Sequence, residues 1–313
     1  MAPPAIEVRD LVKRYRKGTV NAVDGVSFDV EPGQFFALLG PNGAGKTTTI
    51  SILTTTLSLT SGTVKIAGHD VAREASSVRR DVGIIFQSPS LDMNLTGEEN
   101  IRFHAVLYGL HAYRPLYRLM PAAYRRQVGE LADVVGLGTE VFKPVRRLSG
   151  GMRRKLEIIR GLMHHPRVLF LDEPTSGLDA ASRRNLWQYI QDLRGRHDIT
   201  ICLTTHQLAE AEDADKVCII DRGRVVAIGA PHEVKSDLVH ETLHIDAADR
   251  AALRLRLQGL KIRFSEDGHF VVPLEGHTAY DVVHSIALPL TMLRTESATL
   301  EDAYLRLLAV EDA

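Results

Sequence analysis

The stretch Phe35-Phe36-Ala37-Leu38-Leu39-Gly40-Pro41-Asn42-Gly43-Ala44-Gly45-Lys46-Thr47-Thr48 decides the fold. Five apolar residues run into a glycine-rich loop that fits G-x-x-x-x-G-K-[ST], and a helical segment opens at about Gly45, so the order is strand, loop, helix. In such a loop the glycines let the backbone curl until successive N–H groups point inward at phosphate oxygens. Lys46 adds a point charge for the β- and γ-phosphates, and the Thr47 hydroxyl is placed to ligate Mg²⁺. A dinucleotide-binding turn fits less well, because a G-x-G-x-x-G pattern starting at Gly43 needs glycine at position 48, where Thr48 stands.

Two further segments carry chemistry. Val168-Leu169-Phe170-Leu171-Asp172-Glu173 reads as a buried strand that delivers adjacent carboxylates at its C-terminal end. There Asp172 can orient Mg²⁺, and Glu173 can polarise an attacking water. Leu148-Ser149-Gly150-Gly151-Met152 opens a helical stretch whose first turns carry Arg153, Arg154 and Lys155. A serine and two glycines at a helix start expose a hydroxyl and N–H groups, which makes a second anion cradle. One γ-phosphate needs a single cradle from its own chain, so Ser149, Gly150 and Gly151 are expected to serve a nucleotide held by a second copy.

With these motifs the chain resembles the ATP-binding subunit of an ABC transporter over about residues 5–236. By that resemblance residues 40–48 are the Walker A loop, Gln87 is the Q-loop glutamine and residues 148–152 are the signature motif. Residues 168–172 are similar to Walker B, with Glu173 as catalytic base. Ser176-Gly177-Leu178-Asp179 is similar to the D-loop, and His206 in Thr204-Thr205-His206 to the switch histidine. The resemblance implies ATP and Mg²⁺ as cofactors. It gives catalytic roles to Glu173, His206, Lys46 and Gln87, and Mg²⁺ contacts to Thr47, Gln87 and Asp172. The nucleotide would be contacted by Gly40, Pro41, Asn42, Gly43, Ala44, Gly45, Lys46, Thr47, Thr48, Ser149, Gly150, Gly151 and Asp179. Tyr15 stands about 30 residues before Lys46, where the family places an aromatic that stacks on adenine. Met152 departs from the commoner glutamine of the signature. Residues 90–100 and 299–305 look like the daunorubicin-resistance type of drug-export ATPase, which carries a small C-terminal domain and works with a separate permease.

The rest of the chain organises around this cassette. Its 313 residues give a prior of about two domains. Residues 237–313 hold 7 basic and 13 acidic side chains, a net charge of −6, against 31 basic and 26 acidic in residues 1–236. That contrast marks a domain boundary at about 236, and the cassette is too weakly basic to suggest a nucleic-acid partner. The fold class expected is an α/β P-loop ABC ATPase domain with a helical insertion at about 95–161, followed by a small α+β domain. β-rich runs are expected at residues 6–12, 26–30, 35–39 and 63–66. Strands and helices then alternate, with strands at 168–171, 200–204 and 216–221 and helices at 180–194 and 207–214. The last 77 residues read as strand 242–246, helix 248–258, strands 261–264 and 269–272, helix 279–287 and strand 291–295. This is the β-α-β-β-α-β order of a ferredoxin-like domain, closed by a helix at 300–309 with Thr299 as its N-cap.

Cys202 and Cys218, each inside an apolar run, read as reduced core thiols. The histidines show no metal-ligand spacing, so Mg²⁺ is the only metal expected. No signal peptide and no membrane-spanning run is evident, and the resemblance implies a place at the cytoplasmic face of the membrane, held there by the permease. The function expected is ATP hydrolysis that powers efflux of a hydrophobic drug or lipid-like cargo, by a head-to-tail homodimer docked on an integral-membrane permease. The alternative is a soluble ABC ATPase switch without a permease. Members of that kind commonly carry two cassettes or long heptad coils, and this chain has one cassette and no such coil. A GTPase lacks support because no [NT]-K-x-D motif occurs.

Overall fold

The computed structural model describes all residues except 1–2, 17, 87–89, 177, 198, 239–241, 275–277, 297–298, 303 and 305–313. The chain divides into two compact units, Met1–Ile228 and Gly229–Ala313.

The first unit contains two sheets. In one, β1 (Ile6–Arg14) lies between β2 (Asn21–Val30) and β4 (Ser61–Ile66), with β5 (His69–Asp70) beside β4, and every pair is antiparallel. β1 alternates buried and exposed residues except near Asp10, where the register slips. The other sheet has six strands in the order β10-β9-β3-β8-β7-β6, namely Arg224–Gly229, Lys216–Asp221, Phe35–Leu39, Thr200–Thr205, Val168–Asp172 and Val82–Ile85. From β9 to β6 it is parallel. Every residue of β3, β7 and β8 is buried, as expected of strands covered on both faces, whose sequences are near-continuous apolar runs. Helix α1 (Lys46–Leu53) follows β3 directly, and α2 (Ala75–Asp81) precedes β6. Cys202 and Cys218 are buried free thiols, and burial pushes the Cys218 thiol up to about 12.

The helical segment comprises α3 (Gly97–Leu107), α4 (Ala122–Val134) and α5 (Gly150–Leu162), and α3 and α4 each pack on α5. α3 starts with a capping box: the Thr96 hydroxyl accepts from the Glu99 N–H at 3.2 Å, and the Glu99 carboxylate accepts from the Thr96 N–H at 2.8 Å. Such a box contributes about 0.5–2 kcal/mol to the helix. α6 (Ala180–His197) carries Trp187 against Phe35, with ring centroids 5.9 Å apart.

The second unit contains α7 (Pro231–Leu238), β11 (Thr242–Asp246), α8 (Arg250–Gly259), β12 (Ser265–Glu266), β13 (Phe270–Pro273), α9 (Ala279–Ile286) and β14 (Met292–Glu296). The strand order β12-β13-β11-β14 is the ferredoxin-like one, and all pairs are antiparallel. Its core is built from Leu243, Ile245, Leu253, Leu257, Phe270, Val272, Val282 and Ile286.

Two expected elements are corrected. Residues 207–214 form a single 3-10 turn, Leu208–Glu210, because the Thr205 hydroxyl accepts from the Gln207 N–H and Glu210 turns inward. Residues 261–264 are not a strand. Lys261 takes φ +57°, and the N–H groups of Lys261 and Ile262 return to carbonyls of α8, so this stretch closes the helix while Ile262 and Phe264 pack on the core. Thr299 forms a capping box with Asp302. Most of the helix expected at 300–309 lies outside the described residues.

Candidate active site

Three neighbouring parallel strands, β3, β8 and β7, end on the same edge of the sheet. Their C-terminal extensions are the glycine-rich loop, Thr204-Thr205-His206 and Asp172-Glu173. Ligands of open α/β sheets sit outside this edge.

The loop is held by close backbone approach. A Cβ on Gly40 would lie 2.1 Å from the Ile220 carbonyl oxygen, and one on Gly45, at φ +106°, would lie 2.5 Å from the Ala22 carbonyl oxygen. α1 therefore begins without a side-chain cap, and its first N–H groups face the loop. Lys46 is buried and donates from Nζ to the carbonyls of Gly40 (2.7 Å) and Pro41 (3.0 Å). Burial holds its pKa below the usual lysine value, against the attraction of Glu173 and Asp172. Thr47 is exposed. Tyr15, half exposed, is brought to the same loop: its hydroxyl lies 3.2 Å from the Thr48 hydroxyl, and the Lys13 ammonium sits 5.6 Å from its ring centroid.

Asp172 is buried at the end of β7, and the Thr204 hydroxyl donates to its carboxylate. Burial raises the Asp172 pKa, the Thr204 bond opposes that, and the negative charge of Glu173 adds to it. A desolvated carboxylate facing a second one, with a threonine hydroxyl on the neighbouring loop, is the hard-oxygen donor set that suits Mg²⁺. Glu173 takes the left-handed φ of +45°, a conformation that costs a non-glycine residue about 1–3 kcal/mol and persists where the surroundings impose it. Here its N–H donates to the Thr204 carbonyl at 3.0 Å. Its Oε1 lies 3.2 Å from Nδ1 of the half-exposed His206.

Ser149 caps α5: its hydroxyl accepts from the Met152 N–H at 3.2 Å. Ser149, Gly151 and Met152 line a pocket together with Lys155, Leu178 and Asn185. Asp179 caps α6 beside it by accepting from the Ala181 N–H at 3.0 Å. Among the described residues no hydrogen bond joins residues 149–151 to residues 40–48. Gln87 lies outside the described residues, between Phe86 and Ser90.

Sequence reasoning missed two buried ionic side chains. Glu210 accepts from the Thr175 hydroxyl with one oxygen and from the Thr205 hydroxyl with the other, the latter at 2.6 Å. It therefore joins the loop after β7 to the loop that carries His206. Arg154, on α5, reaches the backbone around Glu173. A charged residue read as nine-tenths or more buried is the signal for both, and burial of that kind is visible only in three dimensions.

The ABC transporter family profile matches residues 23–176. The chain is similar to a Nod factor export ATP-binding protein I of Ralstonia nicotianae, with 37% identity over 97% of this chain and 94% of that protein. It is 42% identical to a daunorubicin/doxorubicin resistance ATP-binding protein of Streptomyces peucetius, over 79% of this chain and 72% of that protein. Among solved structures it is similar to the ATP-binding subunit of an ABC transporter, with TM-score 0.64, 31% identity, and coverage of 74% of this chain and 92% of that one. It also resembles cbiO1 of Clostridium perfringens, described as part of the ABC transporter complex cbiONQ, with TM-score 0.65, 25% identity, and coverage of 82% and 96%.

Proposed function

The chain belongs to the ABC transporter family as an ATP-binding, ATP-hydrolysing subunit, and from that premise we propose that it powers export through a separately encoded membrane permease. The cargo class proposed is a hydrophobic drug or lipid-like molecule. Two relatives named for export or drug resistance support the reading, and the first aligns over 97% of this chain, a share that cannot be reached without the second unit. Among the described residues no helix is long and apolar enough to cross a membrane, so the pathway for cargo would come from another polypeptide.

The observation that carries the hydrolytic reading is the 3.2 Å contact of Glu173 with His206, one residue past Asp172 and on the sheet edge that also carries Lys46. Glu173 takes the proton of the water that attacks the γ-phosphate in line, while ADP leaves. Lys46 exchanges its loop carbonyls for phosphate oxygens and, with His206, offsets the negative charge that develops on the transferred group. Asp172, Thr47 and Gln87 would hold Mg²⁺, which supplies further charge neutralisation between the phosphates. Tyr15 stacks on the adenine. Ser149, Gly150, Gly151 and Asp179 complete the site of a second copy, which makes the working unit a head-to-tail homodimer with two equivalent sites. The boundary expected at about 236 falls later than the start of the second unit at Gly229; that unit carries none of these motifs and is assigned an accessory role, following the cassette in the chain.

Purification of the chain from its native membranes tests the export reading. A polytopic membrane protein should accompany it, and a Lys46→Ala chain should retain that partner while losing transport. Recovery of the chain free of any membrane protein would favour a soluble ATPase switch.

A further inference from the structure

Arg154 lies on α5, 18 positions before Asp172 in the chain, yet three of its guanidinium bonds go to the backbone of the catalytic edge. Nε donates to the Pro174 carbonyl at 2.9 Å. One terminal nitrogen donates to the Phe86 carbonyl and, at 3.0 Å, to the Glu157 carboxylate. The other donates to the carbonyls of Asp172 (3.2 Å) and Glu173 (3.3 Å). A guanidinium has five N–H groups in a fixed planar fork, and each of them has an acceptor here. Arg154 is 5% exposed, so it is a buried cation, and it is ion-paired with Glu157, itself 1% exposed.

Two features make this arrangement more than a packing detail. The three consecutive carbonyls from Asp172 to Pro174 surround the left-handed φ of Glu173, so the fork fixes the turn that aims this carboxylate. The same helix face also holds Phe86 and Ser90. Arg154 binds Phe86, Glu157 accepts from the Ser90 N–H at 2.9 Å, and Arg160 donates to the Ser90 carbonyl at 2.6 Å. α5 begins with Ser149, Gly150 and Gly151, so one rigid helix carries the cradle for a second copy and the support for its own chain's base.

We propose that Arg154 is the positioning residue for Glu173: its five-way fork holds the backbone turn that sets the reach of the carboxylate towards the attacking water. This rests on the reading of Glu173 as the base. Lysine keeps the charge, but its three N–H donors diverge from one atom and cannot span carbonyls on two separate segments. The Arg154→Lys chain should therefore bind ATP within about threefold of wild type while kcat falls about tenfold or more, the cost typical of a slightly misplaced catalytic group.

A double-mutant cycle with Glu173→Gln gives the decisive readout, with kcat measured alongside binding of a fluorescent ATP analogue and melting by circular dichroism. If Arg154 acts through Glu173, adding Arg154→Lys to Glu173→Gln slows turnover by less than about twofold. Multiplied losses, or an Arg154→Lys chain with wild-type kcat, would overturn the proposal. Should Arg154→Lys fail to fold, the paired replacement Arg154→Met with Glu157→Leu removes both buried charges together, and the same criteria apply to it. A Glu173→Gln chain that itself retains wild-type turnover would refute the base assignment instead, a result distinct from failure of the Arg154 proposal.

Discussion

Replacing Glu210 with glutamine should loosen the active-site edge by an amount the structure allows to be worked out. Both carboxylate oxygens of Glu210 accept threonine hydroxyls, from Thr175 after β7 and from Thr205 at the end of β8. A glutamine presents one acceptor oxygen and one donor NH₂, so one hydroxyl loses its acceptor. Thr205 also accepts from the Gln207 N–H at 2.9 Å, which limits how far its hydroxyl can turn. Hydrogen bonds to charged groups contribute about 1.5–3 kcal/mol each. A cassette of this size shifts its melting temperature by about 2–4 °C per kcal/mol. The cassette transition of Glu210→Gln is therefore expected about 3–12 °C below wild type in calorimetry. Thr205 precedes His206, so the Glu173–His206 contact should shift as well, and kcat should fall about tenfold with ATP binding preserved. Glu210→Gln protein that melts with wild type and turns over at its rate would refute the claim that this carboxylate ties the two loops together.

Glu173→Gln should keep ATP binding and lose about 10²- to 10⁴-fold in turnover, measured by phosphate release, and turnover within threefold of wild type would remove Glu173 from the role of base. Ser149→Arg and Lys46→Ala homodimers should both be inactive, whereas mixing the two chains restores at most one composite site per heterodimer. A Ser149→Arg chain as active as wild type contradicts the shared-site arrangement. His104 is partly buried beside Tyr108 and His164, and desolvation, helped by the charges of Arg160 and His164, lowers its pKa to about 3. Unfolded, the same imidazole titrates near 6.5, the ordinary histidine value. Its contribution is complete above about pH 6.5 and is lost on acidification towards about pH 3, at about 1.4 kcal/mol per pH unit. Urea midpoints at about pH 7.5 and 5 should therefore differ less in His104→Phe than in wild type.

How much of the site was legible depends on whether its chemistry is local. Residues 40–48 announce themselves because a phosphate cradle is built from consecutive backbone N–H groups, and the glycines it needs must occur at fixed spacing. Asp172 and Glu173 are equally legible, since a strand buried on both faces leaves an apolar run that ends where the carboxylates begin. Arg153, Arg154 and Lys155 read as three similar cations in the first turns of one helix. Their surroundings separate them: Arg153 caps the carbonyls of Val145 and Arg146, the Lys155 ammonium lies beside Gly136, and Arg154 alone turns into the catalytic edge. Helical position explains the divergence, because neighbours about 100° apart face different partners.

The same distinction accounts for the two expected elements that did not form. Ile262 and Phe264 alternate like a strand, and they do bury apolar surface against the second core, but the N–H groups of Lys261 and Ile262 are committed to closing α8. Periodicity reports which side chains are buried and leaves open which carbonyls the backbone satisfies. Residues 207–214 have helical composition, yet two hydroxyls on other segments claim the Glu210 carboxylate and one claims the Gln207 N–H. In both places a side chain or a helix end elsewhere takes the hydrogen bond that the local pattern would have used. Such competition is modest per bond, about 1 kcal/mol between neutral groups and about 1.5–3 kcal/mol to a carboxylate, and it prevails because a short helix or strand gains little from its own propensity. Arg154 and Glu210 act by the same means. Apart from the Thr205 hydroxyl, five positions from Glu210, they hold the catalytic edge through groups 18 to 68 positions distant in the chain, a separation at which composition and spacing carry no signal.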